Sequence, residues 1–170
     1  MSKQLYLEDL SVGDVFGSAT RRVATEDIKR FAGEFDPQPA HLDEAEAVRT
    51  FFGGLAASGW HTAAITMRLL VESLPIAGGI VGAGMDELRW PKPVRPDDVL
   101  ELESEVLELR PSKSRPDRGL AKVRTTTLNQ HGEAVQILVS NLVVQRRNLD
   151  AATGKGAGDA VATGDKGAHS

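Results

Sequence analysis

Cysteine is absent from the 170 residues. That excludes a disulfide framework, a thiolate nucleophile and a cysteine-based metal site. An excess of positive charge is also missing: the formal net charge is −4, which argues against a nucleic-acid surface as the main business of the chain. No apolar run reaches the roughly 20 uninterrupted residues of a membrane span. The first residues, MSKQLYLEDLSVGD, are polar and lack the apolar core of a signal peptide. The expectation is a soluble, cytoplasmic protein with no nucleic-acid or membrane partner. Charged residues at 26% and hydrophobic ones at 41% leave enough apolar chain for one packed core.

The richest stretch is Leu55 to Leu74, LAASGWHTAAITMRLLVESL. Its apolar side chains cover almost every face of a helical turn, which predicts a helix buried nearly all round. Only Arg68 and Glu72 are charged, and their spacing of four lets them pair on one stripe. Ser58 is a suitable N-cap, Gly59 follows it, and Pro75 with Gly78-Gly79 ends the helix.

Before this helix, Val12 to Val23 has strand-like content with a Gly13-Asp14 turn signal. Thr25 reads as the N-cap of a helix that presents Ile28, Phe31, Ala32 and Phe35 on one face. Pro37 and Pro39 stop it by Asp36. His41-Leu42-Asp43 crosses to a short helix from Glu44 to about Thr50, closed by Phe51-Phe52-Gly53-Gly54.

Downstream the period changes to two. Met85 to Trp90 is a candidate strand, and PKPVRPDD is a turn region. Val99 to Leu109 alternates, with Leu100, Leu102 and Val106 opposite a solvated comb of Glu101, Glu103 and Glu105. Leu107 and Leu109 break the phase, which predicts a bulge or end twist. Leu120–Leu128 and Ala134–Arg146 are two further strands joined by a Gly-containing loop. Residues 149–170 are rich in Gly, Ala, Asp and Lys, and the expectation there is a disordered tail. The domain is expected over residues 1–148. No βαβ alternation appears, so a parallel sheet is not expected. The order predicts an α+β hot-dog fold, a curved antiparallel sheet wrapped around a long central helix. The strand Ala134–Val144 is apolar on both faces and asks for cover on both.

Asp36 and His41 flank two prolines in a stiff segment. A carboxylate and an imidazole held by a fixed loop can serve as an acid–base pair. An Asp before Pro at a helix end is also an ordinary cap or turn former, and spacing alone does not separate the two. The start of the long helix at Ser58-Gly59 adds backbone donors for a developing oxyanion. Gly59 has no Cβ, so a ligand is expected to come close to its N–H.

These residues resemble a known family. Phe31-Ala32-x-x-x-Asp36-Pro37-Gln38-Pro39-Ala40-His41-x-Asp43, followed by Phe52-Gly53-Gly54-Leu55-Ala56-Ala57-Ser58-Gly59, looks like the signature of MaoC-like dehydratases, which include R-specific enoyl-CoA hydratases. The similarity runs from about Tyr6 to Arg147 and includes ELRWPKPVRPDD. It implies that Asp36 and His41 hold the water that adds to an enoyl double bond, and that the Gly59 amide polarises the thioester carbonyl. One departure is visible. The family pattern usually has Asn where Gln38 stands, and this bears on pocket geometry and substrate preference. Gln38, Pro39, Ser58 and Trp60 are the expected substrate-binding residues.

The expected activity is reversible hydration of a trans-2-enoyl-CoA to the (R)-3-hydroxyacyl-CoA, the R outcome coming from the resemblance alone. A hot-dog thioesterase and a non-catalytic acyl-CoA-binding protein are the alternatives. No cofactor is expected beyond coenzyme A as part of the substrate. No His, Asp or Glu cluster has metal-ligand spacing, so no metal is expected. A homodimer or larger homo-oligomer follows from the exposed strand edges of a single sheet, and the family resemblance places the acyl pocket at the seam between subunits. His61 reads as a packed or partly exposed histidine, and His131 and His169 as non-catalytic. The Arg110, Lys113, Arg115 and Arg118 loop reads as a solvated hairpin, with contact to coenzyme A phosphates as the minority reading. Phe51, Phe52, Trp60 and Trp90 read as core or interface aromatics.

Overall fold

The computed structural model describes residues 3–147; the tail expected over 149–170 lies outside them. The strand-like stretch after the N-terminal turn is two short pieces, β1 (Val15–Gly17) and β2 (Arg21–Arg22). α1 (Thr25–Phe35) follows. It starts from an extended Ala24 with no side-chain cap, not from Thr25. Buried Val23 and the bonds from the Asp27 and Ile28 N–H groups to the Ala24 carbonyl fix that start instead. Ile28 and Ala32 form its buried stripe.

The segment expected only to cross over contains a helical turn, α2 (Pro39–Leu42), and the next helix, α3 (Glu44–Ala47), is shorter than expected. Pro39 occupies the first turn of α2, where its fixed φ suits a helix and its missing N–H costs nothing. One proline thus helps to stop α1 and begins α2.

The long helix, α4 (Gly59–Ser73), is capped by Ser58, whose Oγ accepts the Trp60 N–H. Arg68 and Glu72 pair at 2.6 Å across one turn. Burial is one-sided rather than complete. His61, Thr62, Ile65, Thr66, Leu69 and Leu70 are buried, whereas Trp60, Met67 and Val71 are 57%, 44% and 54% exposed.

Four long strands follow: β3 (Val81–Arg89), β4 (Val99–Pro111), β5 (Arg118–Leu128) and β6 (Ala134–Gln145). β3 begins four residues before the predicted start. Among the described residues the sheet has six strands, in the order β1-β4-β5-β6-β3, with β2 also on β4. All these pairings are antiparallel. The register slips between Val106 and Glu108, where the broken alternation predicts a bulge. Leu100, Leu102, Ala121, Val123, Leu142 and Val144 share one core with Ile65, Leu69, Leu70 and Leu74. This is the hot-dog arrangement, with the sheet curled on the inner side of α4. β6 lies between β5 and β3, and its Val135, Leu138, Val139, Leu142 and Val144 are buried. β3 is the outer strand on that side, and its Val81 and Met85 are exposed.

Candidate functional site

Asp36 is the C-cap of α1, and its N–H donates to the Ala32 carbonyl at 2.9 Å. Its carboxylate is held on both oxygens. Gln38 Nε2 donates to Oδ1 at 2.6 Å, and Ser58 Oγ donates to Oδ2 at 2.6 Å. The Gln38 bond first, and the Ser58 bond second, push the Asp36 pKa below the ordinary carboxylate value, because both favour the ionised form. The longer amide of Gln38 therefore reaches back to the carboxylate.

His41, on α2, is 4% exposed. Its Nδ1 lies 2.6 Å from the Ala56 carbonyl oxygen. A carbonyl only accepts, so Nδ1 carries the hydrogen and Nε2 of the neutral ring keeps its lone pair. Nε2 stands 3.5 Å from Asp36 Oδ2. The loop that supplies the Ala56 carbonyl is pinned in turn. Ala56 N–H donates to Ala40, and Ala57 N–H to Val94. The Arg95 guanidinium donates to the carbonyls of Phe52, Gly54 and Leu55 at 2.6, 2.9 and 3.3 Å.

Asp36, Gln38, His41, Gly59 and Trp60 line one cavity of about 590 Å³, together with Phe51, Phe52, Trp90, Lys92 and Arg95. Gly59 is the first residue of α4, where backbone N–H groups precede the intrahelical ladder and the helix dipole is positive. The site therefore combines an ionised carboxylate, an imidazole lone pair and a backbone donor around one space. It can hold a water and polarise an oxygen.

The structure places the other expected residues as follows. Ser58 is fully buried, with its Oγ engaged by Asp36 and Trp60 N–H; it fixes the carboxylate to the helix start and does not line the cavity. Pro39 is exposed and also outside the lining. The space a Cβ on Gly59 would fill is taken by the Trp90 indole, at 2.8–3.0 Å, so packing against Trp90 by itself requires glycine there. Phe51 is fully exposed and Trp60 more than half exposed, which places both at the cavity rather than in the core. Arg110, Lys113, Arg115 and Arg118 do not line this cavity. Arg118 is paired with Asp117. His61 is 8% exposed, stacks on Phe31 at 4.8 Å and lies outside the lining. Sequence reasoning missed Arg95 and the Trp90 contact; the signals available were an arginine directly before Pro96 in a proline-rich turn and a tryptophan directly before Pro91. Among the described residues no three His, Asp or Glu side chains are grouped as a metal site.

Comparison with known proteins places the chain in a family. The model of the MaoC like domain matches residues 10–129. The chain belongs to the MaoC-like dehydratase family. This MaoC-like protein is 39% identical over 125 residues to the uncharacterized protein YdeM of Bacillus subtilis, covering 73% of the chain and 87% of that relative. It is 36% identical over 112 residues to a 3-hydroxybutyryl-CoA dehydratase of Methylorubrum extorquens, covering 65% and 69%. Among solved structures, a MaoC-like dehydratase from Rhodospirillum rubrum superposes with a TM-score of 0.83 at 62% identity, covering 85% of the chain and 99% of that structure.

Proposed function

We propose that this MaoC-like dehydratase adds water reversibly to a trans-2-enoyl-CoA, giving the (R)-3-hydroxyacyl-CoA. The observation that carries the reading is the 3.5 Å approach of His41 Nε2 to Asp36 Oδ2 in the cavity that also holds Gly59. A water held between the two groups delivers its oxygen to C3. One member of the pair takes the water proton, and C2 receives a proton from the same pair. Negative charge gathers on the thioester oxygen as C3 is attacked, and the Gly59 N–H donates to it. One such donor is typically worth about 2.7–4 kcal/mol in the transition state. The bonds from Gln38 and Ser58 favour the ionised form of Asp36 before the reaction.

The 3-hydroxybutyryl-CoA dehydratase relative supports a short acyl thioester as the first substrate to try. The R configuration rests on the family resemblance. Coenzyme A enters as part of the substrate, no other cofactor is required by this chemistry, and a cytoplasmic location goes with it. Trp60, beside Gly59 at the cavity, contributes apolar contact with the thioester arm.

The working unit in this reading is a homodimer. β3 is an outer strand with exposed Val81 and Met85, and α4 exposes Met67 and Val71. Pairing this side with a second copy covers both the edge and the apolar face. Light scattering that finds an active monomer would refute the dimer.

The test of activity is hydration of crotonyl-CoA measured beside release of free thiol. Hydration without thiol release is expected. Thiol release without hydration would instead make the protein a thioesterase, and binding without either reaction would make it an acyl-CoA-binding protein.

A further inference from the structure

Trp90 follows the last residue of β3 and precedes Pro91. Arg89 is registered with Ile137 of β6, so the next residue along stands beside Gln136. The indole Nε1 donates to Gln136 Oε1 at 2.9 Å. Gln136 is fully buried, and its Nε2 has no hydrogen-bond partner. An amide kept in a core with half its polar capacity unused is costly, and the bond it does make is to Trp90. The ring so anchored lies flush on Gly59, with three of its atoms 2.8, 2.9 and 3.0 Å from where a Cβ would stand. A rigid bicycle held at its nitrogen and preceding a proline cannot swing aside as a flexible side chain would. Trp60 meets it edge-on at 5.5 Å.

We propose that Trp90 is a positioning residue for the reaction. Its indole, anchored by Gln136, fixes the direction of the Gly59 N–H into the cavity and forms the wall beside it. The inference rests on the hydratase reading. Under that reading the Gly59 donor acts on charge that develops in the transition state, so its alignment governs turnover more than ground-state binding. Trp90 touches the donor residue and not the reacting atoms.

The test uses the full chain with Trp90→Phe, which keeps a ring over Gly59 but lacks the N–H, and Gln136→Met, which removes the acceptor at similar length. Crotonyl-CoA hydration gives kcat and KM, and calorimetry with unreactive butyryl-CoA gives Kd. Each variant is expected to remain folded, to lose about tenfold in kcat and to bind butyryl-CoA within about threefold of wild type. The double variant is expected to be no worse than the poorer single one, because the two residues act as a unit. A packing readout runs in parallel: Gly59→Ala should lower Tm sharply alone and less in a Trp90→Ala background. Wild-type kcat in Gln136→Met and Trp90→Phe, with wild-type hydration intact, would overturn the positioning role and leave the hydratase reading standing. A loss confined to Kd would reduce Trp90 to a binding wall and equally overturn the inference. A wild type that binds butyryl-CoA but hydrates nothing would overturn the hydratase reading itself and the inference with it.

Discussion

Ser58 Oγ donates to Asp36 Oδ2 at 2.6 Å and accepts the Trp60 N–H at 3.2 Å, so one buried hydroxyl ties the acidic end of α1 to the start of α4. The link joins the proposed base apparatus to the proposed oxyanion donor. A displacement of either element is felt by the other.

Ser58→Ala is therefore expected to do two things. Losing the cap should cost about 1 kcal/mol of stability, as N-cap deletions typically do. Losing the bond to Asp36 removes one of the two leading causes of its lowered pKa. That pKa rises towards the ordinary value, and the acid limb of kcat/KM against pH moves to higher pH. A pH–rate profile unchanged from wild type would contradict the coupling.

His61 makes a separate acid-sensitivity prediction. Burial, more than any neighbouring charge, pushes its pKa down, with Arg30 and Arg21 adding to the effect and Asp27 opposing it. The unfolded chain therefore takes up this proton first as pH falls. The associated stability is present above the ordinary histidine value of about 6.5 and is lost as pH drops from there towards the lowered folded value. In His61→Leu this part of the acid loss should vanish, since the unpartnered Nδ1 goes with it. Hydratase turnover at neutral pH should stay near wild type. Equal slopes of Tm against pH between 7 and 5 in both proteins, as judged by calorimetry, would contradict the assignment.

Much of this architecture is legible in the sequence because it is local. The alternation from Leu100 to Val106 sets the inner face of β4, and the broken phase at Leu107 marks its bulge. Ser58 announces the start of α4 through cap chemistry, and Pro37 the end of α1. What local pattern cannot supply is contact across the fold. The hydrogen bond from His41 Nδ1 to Ala56, the Trp90 ring over Gly59 and the Arg95 clamp each join segments that only the complete fold brings together. The exposed stripe of α4 was hidden for a related reason. Apolar composition records that a face is to be covered, not whether the cover belongs to the same chain.

Arg95→Ala tests the clamp. Carbonyls of Phe52, Gly54 and Leu55 lose their guanidinium partner, and bonds to charged groups contribute on the order of 1.5–3 kcal/mol each when buried and less when part-exposed. A stability loss of about 1–3 kcal/mol is expected, with a fall in turnover because the Ala56 carbonyl that orients His41 follows the same loop. Arg95→Lys should rescue little, since one ammonium cannot reproduce the fork. Full activity in Arg95→Lys, read in the crotonyl-CoA assay, would count against the clamp.

The central claim is that Asp36 and His41 together activate water in the cavity that begins at Gly59. Its most direct test is the rate of crotonyl-CoA hydration in Asp36→Asn and in His41→Ala, each checked for wild-type fold by circular dichroism. Both variants are predicted to stay folded and to lose about 10²-fold or more in kcat, the scale of general acid–base catalysis. Turnover near the wild-type rate in either folded variant would contradict the account.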